Sequence, residues 1–475
     1  MRLRLAIAIC LCGSIASCTL EPSYKKPPAS VAPSEAYRGL GDWKPAQPAD
    51  SAPRGAWWQA YQNPALDALE GRIDSGNQDL KAGFARLRQA RAQTRIARAG
   101  YFPQVTLNSY GTRARASINS PRFPNSAEAV ANDFDLEADL TYQLDLFGRV
   151  RSTAHAALAS QQASAADYAT LNLTLHAEMA TNYFGLQSAD AQQIVLDNAV
   201  DAYSKALTLT KNLYAGGAVA WGDVGRATSQ LESARTQAAD MRLQRAQLEH
   251  AIAILAGENP SAFQVPADPL GADPALPAVD AGLPSALLER RPDVAAAERR
   301  VAAAHARVGV ARAAYFPVFN LMGAAGYNSV QTSTLFSAPS RLWSLGASGA
   351  LTLFDAGAHW AESAQAHAAF DEQVADYRKA VLTAYGDVED SLVALQQLEQ
   401  ENGSAAAAVK STVRALQQAQ NRYAAGATTY LEVVIAQNLS LQAQLTAANV
   451  QLRRLSASVA LIKALGGGWQ NNRPQ

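Results

Sequence analysis

The sequence lacks the features of an enzyme or a nucleic-acid-binding protein. Its 475 residues contain 41 basic and 41 acidic side chains, so no basic excess is available to bind phosphates. It contains no P-loop, no GxGxxG and no GxSxG motif. The six histidines are scattered, and only His359 and His367 could share a helix face, which is too few ligands for an ordinary zinc site. We therefore expect no enzymatic activity, no metal and no cofactor.

Cysteine is also scarce, and its placement is informative. All three cysteines, Cys10, Cys12 and Cys18, lie at the N-terminus, so the mature chain has no disulfide framework. Two arginines and the apolar run LAIAICLCGSIAS precede Cys18, as in a secretory signal. The ending IASC resembles a bacterial lipobox, which implies cleavage before Cys18 and covalent lipid on it; an ordinary signal peptide is the alternative. The resemblance extends to Thr19, which in place of Asp implies sorting to the outer membrane.

Beyond the signal, no apolar run is long enough for a transmembrane helix, so a mature chain that crosses a membrane must do so with β-strands. Residues 132–148, NDFDLEADLTYQLDLFG, alternate strictly, with one apolar face and one polar face. A membrane barrel needs this pattern, because one face meets lipid and the other a wet lumen. The predicted lumen-facing acids are Asp133, Asp135, Glu137, Asp139 and Asp145.

Three further segments, 104–113, 318–328 and 343–354, complete a set of four predicted strands. Each has about the ~9–11 residues that a strand needs to cross a bilayer. Four strands cannot close a barrel, so several copies of the chain must share one. A soluble β-sandwich is the alternative, but the chain has too few strands for a second sheet. Aromatic residues near the strand ends suit an interfacial girdle: Tyr101, Phe102, Phe147, Tyr315, Phe316 and Phe354.

The sequence also contains an internal repeat. RIARAGYFPQVTLNSYG at 95–111 recurs as GVARAAYFPVFNLMGAAGY at 309–327, YQLDLFGRV at 142–150 as LTLFDAGAH at 351–359, and LYAGGAVAWGDV at 213–224 as RYAAGATTYLEV at 422–433. The order of the pairs predicts the same plan twice: a helix, two strands, and a long helical hairpin. The predicted segments are a signal peptide at 1–17, a lipidated extended tail at 18–56, a first repeat at 57–260, a linker at 261–283, a second repeat at 284–468 and a C-terminal tail at 469–475.

Long helices are predicted by the spacing of apolar residues. Tyr377, Val381, Ala384 and Val388 recur at steps of four and three, and residues 441–462 continue the pattern. A helix from about 149 to 214 would be roughly 100 Å long. ENGS at 401–404 interrupts one heptad and predicts a kink or a side domain there. A plain coiled-coil rod is the alternative interpretation of these helices.

These motifs together resemble the TolC-like outer membrane factors, specifically the NodT-type efflux lipoproteins. The resemblance rests on WWQAYQNPALDALE, YQLDLFGRV, LPSALLERRPDVAAAERRVAAAHARVGVARAAYFP and RYAAGATTYLEVV, which are spread over nearly the whole mature chain. It implies a homotrimer with a 12-strand barrel in the outer membrane and a 12-helix periplasmic tunnel. It further implies a three-part efflux pump with a periplasmic adaptor and an inner-membrane transporter, and a passive exit duct for small toxic compounds or drugs.

The resemblance also assigns a role to the two tight turns, as the periplasmic gate and the adaptor-docking site. The predicted residues are Gly217, Trp221, Asp223, Gly426, Tyr430, Leu431 and Glu432. Each glycine can adopt the left-handed conformation that ends a helix, so a simple hairpin cap is part of the explanation. Related channels often carry an acid at the position of Ile435 and a base at that of Asn438. Since neither is present, we expect an apolar ring of Leu431 instead of a polar link.

Two other functions compete with the efflux duct. One is the outlet of a protein-secretion system, and the other is a periplasmic coiled-coil scaffold that conducts nothing. Barrel-forming strands distinguish a duct from a scaffold, because only a barrel would carry ionic current. The sequence does not indicate the transported substrates, since in this family the inner-membrane transporter selects them.

Overall fold

The computed structural model describes residues 23–28, 55–115, 117, 130–274, 276–277 and 291–467. Cys18 and the predicted signal peptide lie outside the described residues, as do most of the tail and residues 278–290, the end of the predicted linker and the start of the second repeat. The helices are α1 (Pro64–Gly76), α2 (Gln78–Ala99), α3 (Arg149–Ala215), α4 (Trp221–Ala256), α5 (Pro292–Ala313), α6 (Ala358–Ala424) and α7 (Tyr430–Ala464). The strands are β1 (Gln104–Arg115), β2 (Val130–Leu144), β3 (Val318–Ser329) and β4 (Arg341–Ala350).

Local sequence explains where the first helix begins. A 3₁₀ turn, Trp57–Tyr61, leads to Asn63, whose side chain accepts hydrogen bonds from the backbone N–H groups of Ala65 and Leu66, both at 3.0 Å. Pro64 follows as the first helical residue, where its missing N–H costs nothing. Asn63 and Pro64 therefore fix the start of α1.

The four predicted strands form one antiparallel sheet in the order β1-β2-β3-β4. On β2, the residues Phe134, Leu136 and Leu140 are paired in register with Ser329, Tyr327 and Gly323 of β3. The apolar side chains of β2 therefore share one face of the sheet. On β4 the same face carries Trp343, Leu345 and Ala347, which are paired with Ala325, Gly323 and Leu321. The predicted division of the strands into an apolar and a polar face is thus a property of the whole sheet.

Two predicted strands end earlier than expected. The strand predicted to continue to residue 147 ends at Leu144, and the one predicted to continue to residue 354 ends at Ala350. The first overestimate has a local cause, since an aspartate placed directly after β2 caps the following long helix, and an aspartate five residues after β4 caps α6 in the same way. Asp145 accepts hydrogen bonds from the N–H groups of Val150 and Arg151, and Asp355 accepts one from that of His359.

The long helices are continuous. Helices α3 and α6 have 67 residues each, about 100 Å at 1.5 Å per residue, as predicted for the first of them. The prediction of a side domain at 401–404 is wrong, because ENGS lies inside α6 and the helix continues through it. Its side chains instead bond to α7: Glu401 pairs with Arg453 at 2.6 Å, and the Asn402 side-chain oxygen accepts from Gln451 at 2.7 Å. Among the described helices, none has the length and apolar content needed to cross a bilayer.

The chain forms two compact units, and each contains segments from both repeats. The first comprises the N-terminal segment up to Pro28, Arg86–Ala165 and Ala296–Tyr377, and it includes the sheet. The second comprises Ala29–Ala85, Ala166–Ala295 and Arg378–Gln475, and it includes both tight turns. Small side chains fill much of the helical core, among them Ala156, Ala159, Ala163, Ala303, Ala304 and Ala306, as expected for closely packed helices.

The second unit also holds a buried pair of ionisable residues that sequence reasoning did not find. His176 Nδ1 of α3 lies 2.6 Å from Glu70 Oε2 of α1, and both side chains are buried. Trp58 stacks on the imidazole with ring centroids 4.4 Å apart. Burial raises the pKa of Glu70 to about 7, despite the opposing effect of His176. The two residues are too far apart in the sequence for any local pattern to reveal the pair.

Candidate functional site

The first turn, residues 213–224, closes the hairpin of α3 and α4. Gly217 has φ +72°, its N–H donates to the carbonyl of Tyr214 at 3.0 Å, and Ala218 N–H donates to Leu213 at 2.8 Å. These two bonds define a Schellman motif, which satisfies carbonyl groups at the end of a helix. Asp223 lies in the first turn of α4 and pairs with Arg226 at 2.7 Å.

The second turn, residues 422–433, has the same backbone. Gly426 has φ +68°, its N–H donates to Tyr423 at 3.0 Å, and Ala427 N–H donates to Arg422 at 2.8 Å. Glu432, at the position equivalent to Asp223, pairs with Arg422 at 3.3 Å. The two turns therefore share the same backbone hydrogen bonds, whereas the ion pairs of Asp223 and Glu432 differ.

An apolar cluster lies behind the second turn. Tyr430 is 5% exposed and packs with Leu207, Leu231 and Val433, so helices α3, α4 and α7 all contribute to the cluster. The ring of Tyr423 lies 5.5 Å from that of Tyr430. Burial raises the pKa of both hydroxyls, so both tyrosines stay neutral near pH 7.

The beginning of α7 also carries an exposed apolar stripe. Leu431, Ile435 and Leu439 are 47%, 51% and 57% exposed and follow one another at the four-residue spacing of one helix face. Leu431, the predicted constriction, is thus the first of three such side chains. In a soluble hairpin these side chains would be expected to pack inward, so their exposure indicates a surface used by something outside the single chain.

A cavity of about 960 Å³ lies between the two hairpins at their turns. Its lining includes Gly426, Tyr430 and Asp223 together with apolar side chains of α3. Three further lining residues, Tyr423, Thr428 and Gln437, each have a buried side-chain oxygen with no hydrogen-bond partner in the described part of the chain. Buried polar atoms are normally paired, so this cavity is suited to a ligand that brings hydrogen-bond donors.

Asn438 forms a neutral polar link that sequence reasoning missed, while the expected apolar ring of Leu431 remains a prediction. The Gln230 side-chain amide of α4 donates to Asn438 Oδ1 at 2.6 Å, and the Asn438 amide donates back to Gln230 Oε1 at 3.3 Å. This pair is neutral, so it joins α4 to α7 without the acid and base expected of related channels. No polar contact of Ile435 accompanies it, since that side chain is apolar.

The polar face of β2 carries four of the five predicted acids. Asp133 and Asp135 accept hydrogen bonds from the Asn328 amide of β3 at 2.8 and 3.3 Å, and Asp139 accepts one from Asn108 of β1 at 2.6 Å. Glu137 lies between them on the same face, opposite Asn108 in the register. Asp135 is buried and the other three are partly exposed. Asp145 does not belong to this face, because it lies beyond the strand and caps α3.

No metal site accompanies these carboxylates. Within the residues that the structure describes, no group of three or more His, Cys, Asp or Glu side chains could hold a metal ion. His359 pairs with Asp355 of its own helix terminus and not with His367. The predicted lipid site, Cys18, lies outside the described residues, so it remains a prediction.

The sheet with two faces, the duplicated turns and the long helices define an outer membrane channel of the efflux type. The family model described as "Outer membrane efflux protein" matches residues 71–258 and 283–467. The chain belongs to this family, and it is an outer membrane efflux protein.

Individual relatives agree with this assignment over nearly their whole length. The toluene efflux pump outer membrane protein TtgF of Pseudomonas putida is 32% identical over 471 residues, which cover 98% of this chain and 97% of that protein. The pyoverdine export outer membrane protein OpmQ of Pseudomonas aeruginosa is 35% identical over 420 residues, which cover 88% of each chain. The solved structure of the Campylobacter jejuni CmeC outer membrane channel has a TM-score of 0.86 at 26% identity and covers 96% of both chains.

Proposed function

We propose that three copies of this chain assemble into a 12-strand barrel in the outer membrane, continued by a 12-helix tunnel in the periplasm. The sheet carries this proposal, because β1 and β4 are its edge strands and each has one side with unpaired backbone groups. In a bilayer each unpaired group would cost several kcal/mol. Pairing β4 of one copy with β1 of the next removes these edges, and three copies close the ring.

Cysteine cross-linking tests the shared barrel, since Cys18 is the only cysteine of the predicted mature chain. Thr106→Cys in β1 would be combined in turn with Ser344→Cys, Gly346→Cys and Ser348→Cys in β4, which lie on the same face of the sheet. We expect one of the three combinations to give covalent trimers on a non-reducing gel. Matched pairs with the cysteine on the opposite face, at Leu107, should give none. Monomers alone with every pair would contradict the shared barrel.

In this assembly the polar face of β2 lines the lumen and the apolar face meets lipid. Asp133, Glu137 and Asp139 then form rings of carboxylates, which concentrate cations and repel anions. We expect a cation-preferring channel whose preference falls at high salt, as screening shortens the field. Reversal potentials in a KCl gradient test this, with Asp133→Asn and Asp139→Asn expected to weaken the preference. Anion preference at low salt would place these acids elsewhere.

The two turns form the periplasmic end in this proposal, where Leu431 constricts the pore and an adaptor docks. The cavity at the turns supports docking, since the unpaired oxygens of Tyr423, Thr428 and Gln437 offer acceptors to a polar partner. Transport then needs a periplasmic adaptor and an energised inner-membrane transporter, and this chain serves as the passive duct. The cargo is a small toxic organic compound, a class to which the toluene of the relative TtgF belongs.

A deletion strain with its own transporter and adaptor tests the duct. Restoring the chain should restore resistance to a hydrophobic toxicant, and restoring Gln437→Leu at equal protein level should restore less of it, because the acceptor in the cavity is lost. Gln442→Leu, an exposed glutamine further along α7, is the control and should behave like the parent. Purified protein should carry single-channel current in planar bilayers. A protein without current would be a scaffold and not a duct.

A further inference from the structure

A short N-terminal segment, residues 23–28, is attached to the first compact unit through one side chain. The Tyr24 hydroxyl donates a 2.7 Å hydrogen bond to Glu298 Oε1 of α5, and Glu298 is buried. The Tyr24 ring packs edge-on against His305 with centroids 5.4 Å apart, and His305 in turn contacts Phe370 of α6 at 5.7 Å. The Tyr24 side chain is therefore held on α5 by both a hydrogen bond and a ring contact.

The chemistry of this contact favours a permanent hydrogen bond. Burial raises the pKa of the Tyr24 hydroxyl, and the Glu298 carboxylate raises it further, so the hydroxyl remains a donor throughout the neutral range. Arg299 Nε lies 3.4 Å from the other carboxylate oxygen of Glu298. The next two residues, Lys25 and Lys26, are exposed.

The position of Tyr24 limits how far the predicted lipid can lie from the body. Cys18 precedes Tyr24 by six residues, which span at most about 20 Å when fully extended. Along α5, Glu298 lies about 22 Å from Ala313, at 1.5 Å per residue, and β3 begins five residues after that helix end. Without the Tyr24 contact, Cys18 would be tied to the body only through the chain that leads to Gly55, the next described residue after Pro28. A fully extended chain of that length could span more than about 100 Å.

We propose that Tyr24 is a positioning residue for the lipid anchor, and that its docking on Glu298 and His305 confines the acyl chains of Cys18 to the end of α5 where the sheet begins. This proposal rests on the lipidation of Cys18 and on the sheet lying in the outer membrane. The exposed aromatic side chains Phe102 and Tyr315 lie at the same end of the sheet, at the level expected for the membrane interface. Fully extended along α5, the tether of about 20 Å nearly covers the distance of about 22 Å from Glu298 to the end of the helix.

Limited trypsin digestion of the purified full-length protein tests the docking. Trypsin cleaves after Lys25, whereas the bond after Lys26 is blocked by Pro27, so one cleavage reports on the segment. We expect Tyr24→Ser to speed this cleavage about tenfold or more, because an undocked segment is accessible far more often. Tyr24→Phe should fall between Tyr24→Ser and the parent, since it keeps the ring and loses the hydrogen bond. Ser23→Ala, at the exposed neighbour, is the control and should match the parent. Equal cleavage rates for Tyr24→Ser and the parent would overturn the proposal.

A photoactivatable palmitate analogue tests the positioning. In cells that incorporate it, cross-links from Cys18 should map by mass spectrometry to peptides around Phe102 and Tyr315 in the parent. They should spread to other peptides, or be lost from these two, in Tyr24→Ser. An unchanged cross-link map in Tyr24→Ser would refute positioning even if docking is real. A parent that takes up no more label than Cys18→Ser would instead refute the lipidation on which the proposal rests, and the trypsin result would be unaffected by that failure.

Discussion

The two tight turns have the same backbone but different surroundings. Gly217 and Gly426 share a left-handed φ, and the Schellman hydrogen bonds occur at matched positions in both. The residues that begin the next helices differ sharply, because Trp221 is 67% exposed whereas Tyr430 is 5% exposed. Local sequence therefore specifies how each turn is made, and the packing of the hairpins decides what each turn does.

The exposed faces beside the turns differ as well. The second turn continues into the apolar stripe of Leu431, Ile435 and Leu439, whereas the equivalent positions in α4 are Gly222, Arg226 and Gln230. Only the second turn can contribute an apolar constriction. The two turns thus carry an exposed apolar face in one repeat and a small, polar face in the other.

The largest expected difference in stability between the turns comes from replacing Tyr430 and Trp221, one at a time, by alanine. Tyr430→Ala should lower the free energy of unfolding by about 3–5 kcal/mol, the usual cost of removing a buried aromatic ring. Trp221→Ala should change it by no more than about 0.5 kcal/mol, as for other exposed sites. Chemical unfolding of the detergent-solubilised protein, followed by circular dichroism, measures both. Equal losses would show that Trp221 is also covered in the assembled protein.

Changes of pH should act on the second unit through Glu70 and leave the turns unaffected. Its pKa is raised from 4.5 to about 7 on folding, so its contribution to stability is complete below pH 4.5 and is lost as the pH rises through 7. Stability should therefore be greater at pH 5 than at pH 8, by on the order of 2–3 kcal/mol. Glu70→Gln should flatten this dependence, while Glu178→Gln, at an exposed carboxyl on the same helix as His176, should keep it. A pH dependence that survives Glu70→Gln would show that another group is responsible.

Valine at either turn glycine should cost about 1–2 kcal/mol, because only a residue without a side chain adopts the left-handed conformation freely. No atom lies within 4 Å of an added Cβ at Gly217 or Gly426, so the cost is backbone strain and not a clash. The two variants should therefore lose similar amounts of assembled trimer on gels, and neither should raise the conductance. A loss confined to Gly426→Val would mean that the first turn tolerates a different backbone.

The smallest change in stability and the clearest change in conduction should come from Leu431→Ser. An apolar ring excludes water, so a polar substitute should raise single-channel conductance several-fold and admit vancomycin-sized antibiotics into cells. Gly222→Ser, at the equivalent position of the first turn, should do neither, and Ile435→Ala should do less. If Ile435→Ala opens the channel and Leu431→Ser does not, the constriction lies one turn further along α7.

Much of the architecture could be predicted from the sequence, because it depends on residues that lie close together in the chain. The alternation of β2, the proline after each YF, and the glycine at each turn act over a few residues, and their predicted structures are confirmed. The predicted end of β2 was wrong because the polar alternation of the strand competed with another local use of the same residue. Asp145 continues the polar alternation of β2, but its carboxylate accepts backbone hydrogen bonds at the start of α3, which ends the strand earlier.

The candidate site was predictable in its position and not in its contacts. Gly217, Gly426, Tyr430 and Leu431 lie at the two turns that the repeat predicted, and their role in gating and docking remains a prediction. The amide pair of Gln230 and Asn438 was missed, since neither residue is charged and they are joined only when α4 lies beside α7. The unpaired oxygens of the cavity were also missed, because satisfaction of a hydrogen bond depends on every neighbour in space.

By itself the sequence determined the strands with two faces, the paired hairpins and the glycine turns, because backbone conformation follows from side chains a few residues apart. Only the tertiary structure decided that Tyr430 is buried while Trp221 is exposed, that Glu70 meets His176, and that Tyr24 meets Glu298. Burial and long-range pairing depend on which helix faces come together, and residues 106 or 274 positions apart carry no sign of each other in the chain.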